Sequence, residues 1–92
     1  MFNFGKKGSL DGELLRPTGV AVSREGHIIV ADRDNHRVQI YSTDGKFLHK
    51  FGCKGDGDGQ LNDPHGLAIT KDGSIVVADF RNNRVQVFGR VG

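Results

Sequence analysis

The chain has one cysteine, Cys53, and only two prolines in 92 residues. A single thiol closes no intrachain disulfide, so a disulfide-stapled secreted scaffold is excluded. Cys53 reads as a small half-buried filler in a reducing, cytoplasmic setting. No apolar run approaches the ~18 residues of a membrane span, so no membrane partner is expected. No charged-then-apolar segment at the N-terminus reads as a secretory signal. No stretch carries a helical period. Neither a G-x-S-x-G run nor a phosphate-cradling glycine loop is present, and Cys53 has no partner at catalytic spacing. A non-enzymatic chain without cofactor is therefore expected. The formal net charge is +2, too small to argue by itself for a nucleic-acid partner.

Glycine is what the chain has in excess, at 14 of 92 residues, against a usual share of ~7%. There is no G-X-Y period, so collagen is excluded. A chain 36% hydrophobic and 26% charged is not disordered by composition. Glycines between short apolar runs point to a turn-rich all-β protein. A chain of this length buries only ~60–65% of its unfolded surface, so its core is marginal and any sign of assembly carries weight.

The sequence repeats itself. Shifted by 47 residues, positions 4–45 fall on 51–92 without a gap, and 20 of those 42 positions are identical. The run GVAVSREGHIIVADRDNHRVQIY at 19–41 falls on GLAITKDGSIVVADFRNNRVQVF at 66–88. Each unit predicts up to four strands. In the first unit these are Gly19–Ser23, His27–Ala31, Arg37–Tyr41 and Lys46–Phe51, separated by SREG, DRDNH and STDG turns. Gly19 and Gly66 open the innermost strand, where crowded backbones leave no room for a side chain. Four antiparallel strands in 40–50 residues is the pattern of a β-propeller blade.

The pattern P-x-G-[VL]-A-[VI], G-x-I-[IV]-V-A-D and N-[HN]-R-V-Q-[IV]-[YF] resembles the NHL repeat. Arg37 and Arg84 stand where the name-giving motif has Leu, and Asn83 where it has His. The linker FGKKGSLDGELLRP is similar to inter-blade linkers in the NHL domains of tripartite-motif proteins. The resemblance covers essentially the whole chain. It implies blades of a six-bladed propeller that binds RNA or protein; a secreted relative cleaves amidated-peptide precursors with a metal. Two repeats are present, which suggests an engineered or excised two-blade unit.

The boundaries of the repeat suggest assembly. The first unit, within 6–52, has all four strands. The second, within 53–92, has no counterpart of KFLHKF after RVQVF. Residues 1–5 read as that displaced fourth strand, donated to the second blade of a neighbouring copy, with Phe2, Asn3 and Phe4 meeting Val85 and Val87. Such head-to-tail contacts close into a ring. Three chains would give a six-bladed homotrimer; two or four chains also satisfy the pattern.

The candidate ligand positions are the ones that vary between the units. Connections entering the first strand and joining the second to the third emerge on one propeller face. They carry Arg16, Thr18, Arg33, Asp34 and His36 from one unit, and Asp63, His65, Phe80, Arg81 and Asn83 from the other. Arginines beside an exposed Phe suit phosphate contact and base stacking, and solvated turn residues are the plainer reading. Three copies of His65 around a channel would match a zinc ligand count, yet Thr18 holds that place in the other unit, so no metal site is expected. Asp32 with Arg37, and Asp79 with Arg84, recur five apart in both units. They read as an Asp capping the turn and an Arg bracing it. The GDGDG run at 55–59 reads as linker, since it lacks the ligand series of a calcium loop.

Overall fold

The computed structural model describes residues 1–89; the last three positions of the repeat alignment lie outside the described residues. The strands are β1 (Pro17–Val22), β2 (Ile28–Asp32), β3 (Arg37–Tyr41), β4 (Phe47–Phe51), β5 (Pro64–Ile69), β6 (Ile75–Asp79) and β7 (Arg84–Phe88). They form two antiparallel meanders, a four-stranded sheet β1-β2-β3-β4 and a three-stranded sheet β5-β6-β7. Propeller-like blades are thus present in the numbers the sequence predicts, with β1 beginning two residues earlier than expected. The cause is a bulge: Pro17 pairs with Asp32 and Gly19 with Ala31, leaving Thr18 out of register. Its hydroxyl instead donates to the carbonyl of Pro64 at 2.9 Å, joining β1 to the start of β5.

The core lies between the two sheets. Ile29, Val38 and Ile40 of the first sheet cluster with Ile75 and Val77 of the second and with Leu61 of the linker. Phe51, Leu67, Ile69 and Phe88 close its margin. Apolar alternation on β3 places Val38 and Ile40 on this side. The opposite face, Arg37, Gln39 and Tyr41, is buried as well, because the linker folds over it. The Arg37 guanidinium donates to Asp32 at 2.7 Å and to the carbonyls of Ser9, Leu10 and Glu13. Gln39 donates to the Glu13 carbonyl at 2.6 Å and accepts the Gly12 N–H at 2.9 Å. A buried charge with this many partners is tolerated where an unpaired one is not.

The expected turn cap takes another form. Asp32 makes no side-chain capping bond to a backbone N–H of the connection that follows β2. Its carboxylate accepts the Leu15 N–H at 2.7 Å, the Asn35 amide at 3.0 Å and Arg37, so it ties linker to blade. Asp79 does the same with the Asn62 N–H, Asn82 and Arg84. The connections themselves are single 3-10 turns, Arg33–Asn35 and Phe80–Asn82, each closed by a left-handed residue, His36 (φ 53°) and Asn83 (φ 54°).

Two further expectations change. Cys53 is exposed rather than half-buried, because it sits where the linker leaves the sheet. A methyl group on Gly19 would lie 2.2 Å from the His65 carbonyl oxygen, so that glycine is sterically required. At Gly66 the nearest atom to such a methyl is the Ala78 Cβ, at 3.9 Å; no crowding exists there within one chain. Residues 1–6 form no strand. Phe2 is 63% exposed, Asn3 is exposed, and the Phe4 ring rests on Tyr41 at 4.7 Å.

Candidate functional site at the blade junction

The loops entering β1 and β5 are pinned to the 3-10 turns by backbone bonds. Asp34 N–H donates to Leu15 C=O at 3.0 Å, and Arg81 N–H to Asn62 C=O at 3.0 Å. This brings the variable positions of both units to one end of the sheets. Arg16 and Asp63 occupy the same repeat position, and both have positive φ, 54° and 55°. Each pairs with a residue of its own unit, with the charges exchanged. Arg16 faces Asp34 at 3.5 Å, whereas Asp63 faces Arg81 at 2.5 Å.

Asp63 is the hub of the junction, only 8% exposed. Its N–H donates to His36 Nδ1 at 3.1 Å, which requires that nitrogen to be unprotonated. Its carboxylate lies 3.9 Å from Arg33 Nη2 and 3.6 Å from His36 Nδ1. The Arg81 hydrogen bond holds the Asp63 carboxyl below the usual carboxylate range, against the opposing effect of burial, with Arg81 and Arg33 adding Coulombic attraction. Arg33 also contacts Asp34 at 3.8 Å. Arg16, Asp34, Arg33, Asp63, Arg81 and His36 therefore form one continuous band of alternating charge across both units.

His65 lies apart from this band, stacked on Phe80 with ring centroids 4.5 Å apart and planes tilted by 32°. Phe80 remains 56% exposed. Every ligand-face residue named from the sequence thus reaches the same end of the sheets, but the arginines are engaged with carboxylates rather than free. Asp63 was named from the sequence as one of the face positions, without a role in joining the two units. The exchange of Arg16 and Asp34 for Asp63 and Arg81, visible in the 47-residue alignment, was the signal for its role. The residues expected from the sequence to mediate assembly lie elsewhere: Phe2, Asn3 and Phe4 beside the first sheet, and Val85 and Val87 on β7, 64% and 65% exposed. Among the described residues no three His, Cys, Asp or Glu side chains cluster as metal ligands, and no helix is long and apolar enough to cross a membrane.

Comparison with known proteins bears on this architecture. The chain is 56% identical over 50 residues to Protein lin-41 of Caenorhabditis elegans, a stretch that is 54% of this chain and 4% of that protein. It is 60% identical over 48 residues to the E3 ubiquitin-protein ligase TRIM71 of Xenopus tropicalis, covering 52% of this chain and 6% of the relative. With Protein brain tumor of Drosophila melanogaster it shares 48% identity over 44 residues, 48% of this chain and 4% of that protein. These matches span only a small part of the relatives' length. The NHL repeat model matches residues 14–41 and again 61–88, together more than half of the chain, and each match takes in the first three strands of one sheet. The chain belongs to the NHL repeat family.

Proposed function

We propose that this chain is a non-enzymatic two-blade unit that assembles head to tail with copies of itself into a closed propeller, three copies giving six blades. One observation carries the proposal. Val38 and Ile40 on β3 are fully buried by the second sheet, while their repeat counterparts on β7, Val85 and Val87, are 64% and 65% exposed. On the opposite side, Val20 and Val22 of β1 are 65% and 64% exposed, whereas their counterparts Leu67 and Ile69 pack into the core. The two open faces are the two halves of the interface that already exists within the chain, so a second copy fits where the second sheet fits on the first. Burying a valine is worth ~1.5–3 kcal/mol, and association costs ~4–15 kcal/mol. Four valines, together ~6–12 kcal/mol if fully buried, are of the same order as that cost, and strand pairing by residues 1–4 with β7 supplies more.

Equilibrium sedimentation tests the proposal. The expected mass is three times the 10.0 kDa of one chain, with two- and fourfold masses corresponding to four- and eight-bladed rings. A folded monomer at high micromolar concentration overturns it. The exposed thiol of Cys53 suits a reducing, cytoplasmic location for such a ring.

A second reading is favoured by the arginines gathered at one end, of which Arg16 and Arg81 have side chains 72% and 61% exposed. The ring would then present that end to RNA, phosphates meeting guanidinium groups. Salt-dependent binding of single-stranded RNA, lost in R33A/R81A, tests it; binding of a protein in its place, or of neither, overturns it.

A further inference from the structure

The junction within the chain and the junction between copies cannot use the same chemistry, because the residues at equivalent positions differ. Within the chain, Asp63 meets Arg33 through its carboxylate and His36 through its N–H. One repeat further on, the position of Arg33 is held by Phe80, that of His36 by Asn83, and that of Asp63 by Arg16 of the next copy. The existing geometry prepares these residues for contact. Arg16 and Asp63 share the left-handed backbone, as do His36 and Asn83. Phe80 is 56% exposed and backed by His65, leaving ring surface open.

We infer that Arg16 of one copy seats its guanidinium against the ring of Phe80 of the preceding copy, while Asn83 Oδ1 accepts the Arg16 N–H as His36 Nδ1 accepts that of Asp63. This rests on the head-to-tail assembly proposed above and names the residues that specify it. A guanidinium over an aromatic face is attractive, and an asparagine oxygen accepts as an imidazole nitrogen does. The two junctions are thereby kept distinct. The first blade offers Arg33 and His36 to whatever follows it; an incoming Arg16 would face the Arg33 cation, so the first blade rejects a second first blade. Asp63 of the second blade meets the partners suited to it. The surface is an address as well as an adhesive patch, of the kind that needs a repulsive element to discriminate partners.

Three experiments test the inference by sedimentation and dilution at low salt. Phe80→Arg sets like charges against each other and is expected to weaken assembly about tenfold or more, less so in high salt. The variant R16D/D34R/F80R/N83H copies Asp63, Arg81, Arg33 and His36 into the interchain junction and is expected to assemble within about threefold of the original. A double-mutant cycle of R16A and F80A is expected to show coupling of roughly two- to thirtyfold. Additive effects in that cycle, or undiminished assembly of the F80R protein, overturn the inference while leaving head-to-tail assembly intact. An original chain that stays monomeric overturns both. Circular dichroism of the free chains separates loss of assembly from loss of fold; in the case of a misfolded four-residue variant, the cycle alone decides.

Discussion

Phe4 stands to Tyr41 as Phe51 stands to Phe88. The first pair of rings has centroids 4.7 Å apart and the second 4.5 Å, and each residue of one pair is the 47-residue counterpart of the other. Phe51 is the last residue of an outer strand packed on the following blade. Phe4 occupies the corresponding place on the first blade. In the head-to-tail assembly proposed above, this is where an outer strand of a neighbouring copy's second blade ends.

That placement sets a register. Gln39 pairs with Lys50 and Ile40 with His49, so Gln86 is expected opposite Asn3 and Val87 opposite Phe2 of the next copy. Proline removes an N–H from such a ladder. One of the variants Phe2→Pro and Asn3→Pro, the one whose N–H faces β7, should weaken assembly by about 1 kcal/mol or more. Neither should lower the melting temperature of the isolated chain appreciably, since residues 1–6 form no strand there. Melting curves at low and high protein concentration check both halves.

Gly19 and Gly66 should respond oppositely to alanine. At Gly19 the methyl meets the His65 carbonyl at 2.2 Å, so Gly19→Ala should destabilise the chain itself. At Gly66 the space is open and φ is not positive, so Gly66→Ala should be neutral or add up to ~1 kcal/mol to an isolated chain. In a ring, Gly66 acquires the backbone of the next copy that Gly19 already has. Gly66→Ala should then abolish assembly. A ring that tolerates it would remove the proposed contact.

The buried ion pairs should be unequal. Asp32 is fully buried against an Arg37 whose side chain is 8% exposed, whereas the side chain of Arg84 opposite Asp79 is 28% exposed. Asp32→Ala strands a buried guanidinium and should cost ~3–5 kcal/mol, a large share of the stability of so small a domain. Asp79→Ala should cost less, because water reaches Arg84. Urea unfolding of both variants measures the difference.

Acid should loosen the junction. The Asp63 carboxyl is lowered by the Arg81 hydrogen bond. At Asp79 burial pushes upward, and the bonds from Asn62 N–H, Asn82 and Arg84 outweigh it. A lowered folded pKa contributes stability above the unfolded value of ~3.9 and loses it as pH falls through the folded value. Stability should therefore drop below about pH 4. Asp63→Asn, which keeps a residue that tolerates positive φ, should flatten that drop. Unfolding midpoints from pH 6 to pH 2.5 give the comparison.

Repetition, strand number and the turns were legible in the residues, because each depends on neighbours a few positions away. GVAVS, HIIVA and RVQIY carry their pairing in their alternation and in the Gly, Asp and Asn that bound them. The three strands of the second sheet among the described residues were legible by comparing one unit with the other. The fate of polar groups was not. RVQIY alternates as a strand with one wet face would, yet Arg37 and Gln39 are buried because Ser9, Gly12 and Glu13 wrap over them. Those partners lie 26–28 residues away in sequence, and no local pattern encodes them. Asp63 likewise became a hub only when His36 and Arg33 of the other blade reached it. Local hydrogen bonding and apolar period are written in short segments. Whether a charge ends up in water or in a network depends on which distant backbone folds across it, and that was decided by the packing of linker on sheet and sheet on sheet.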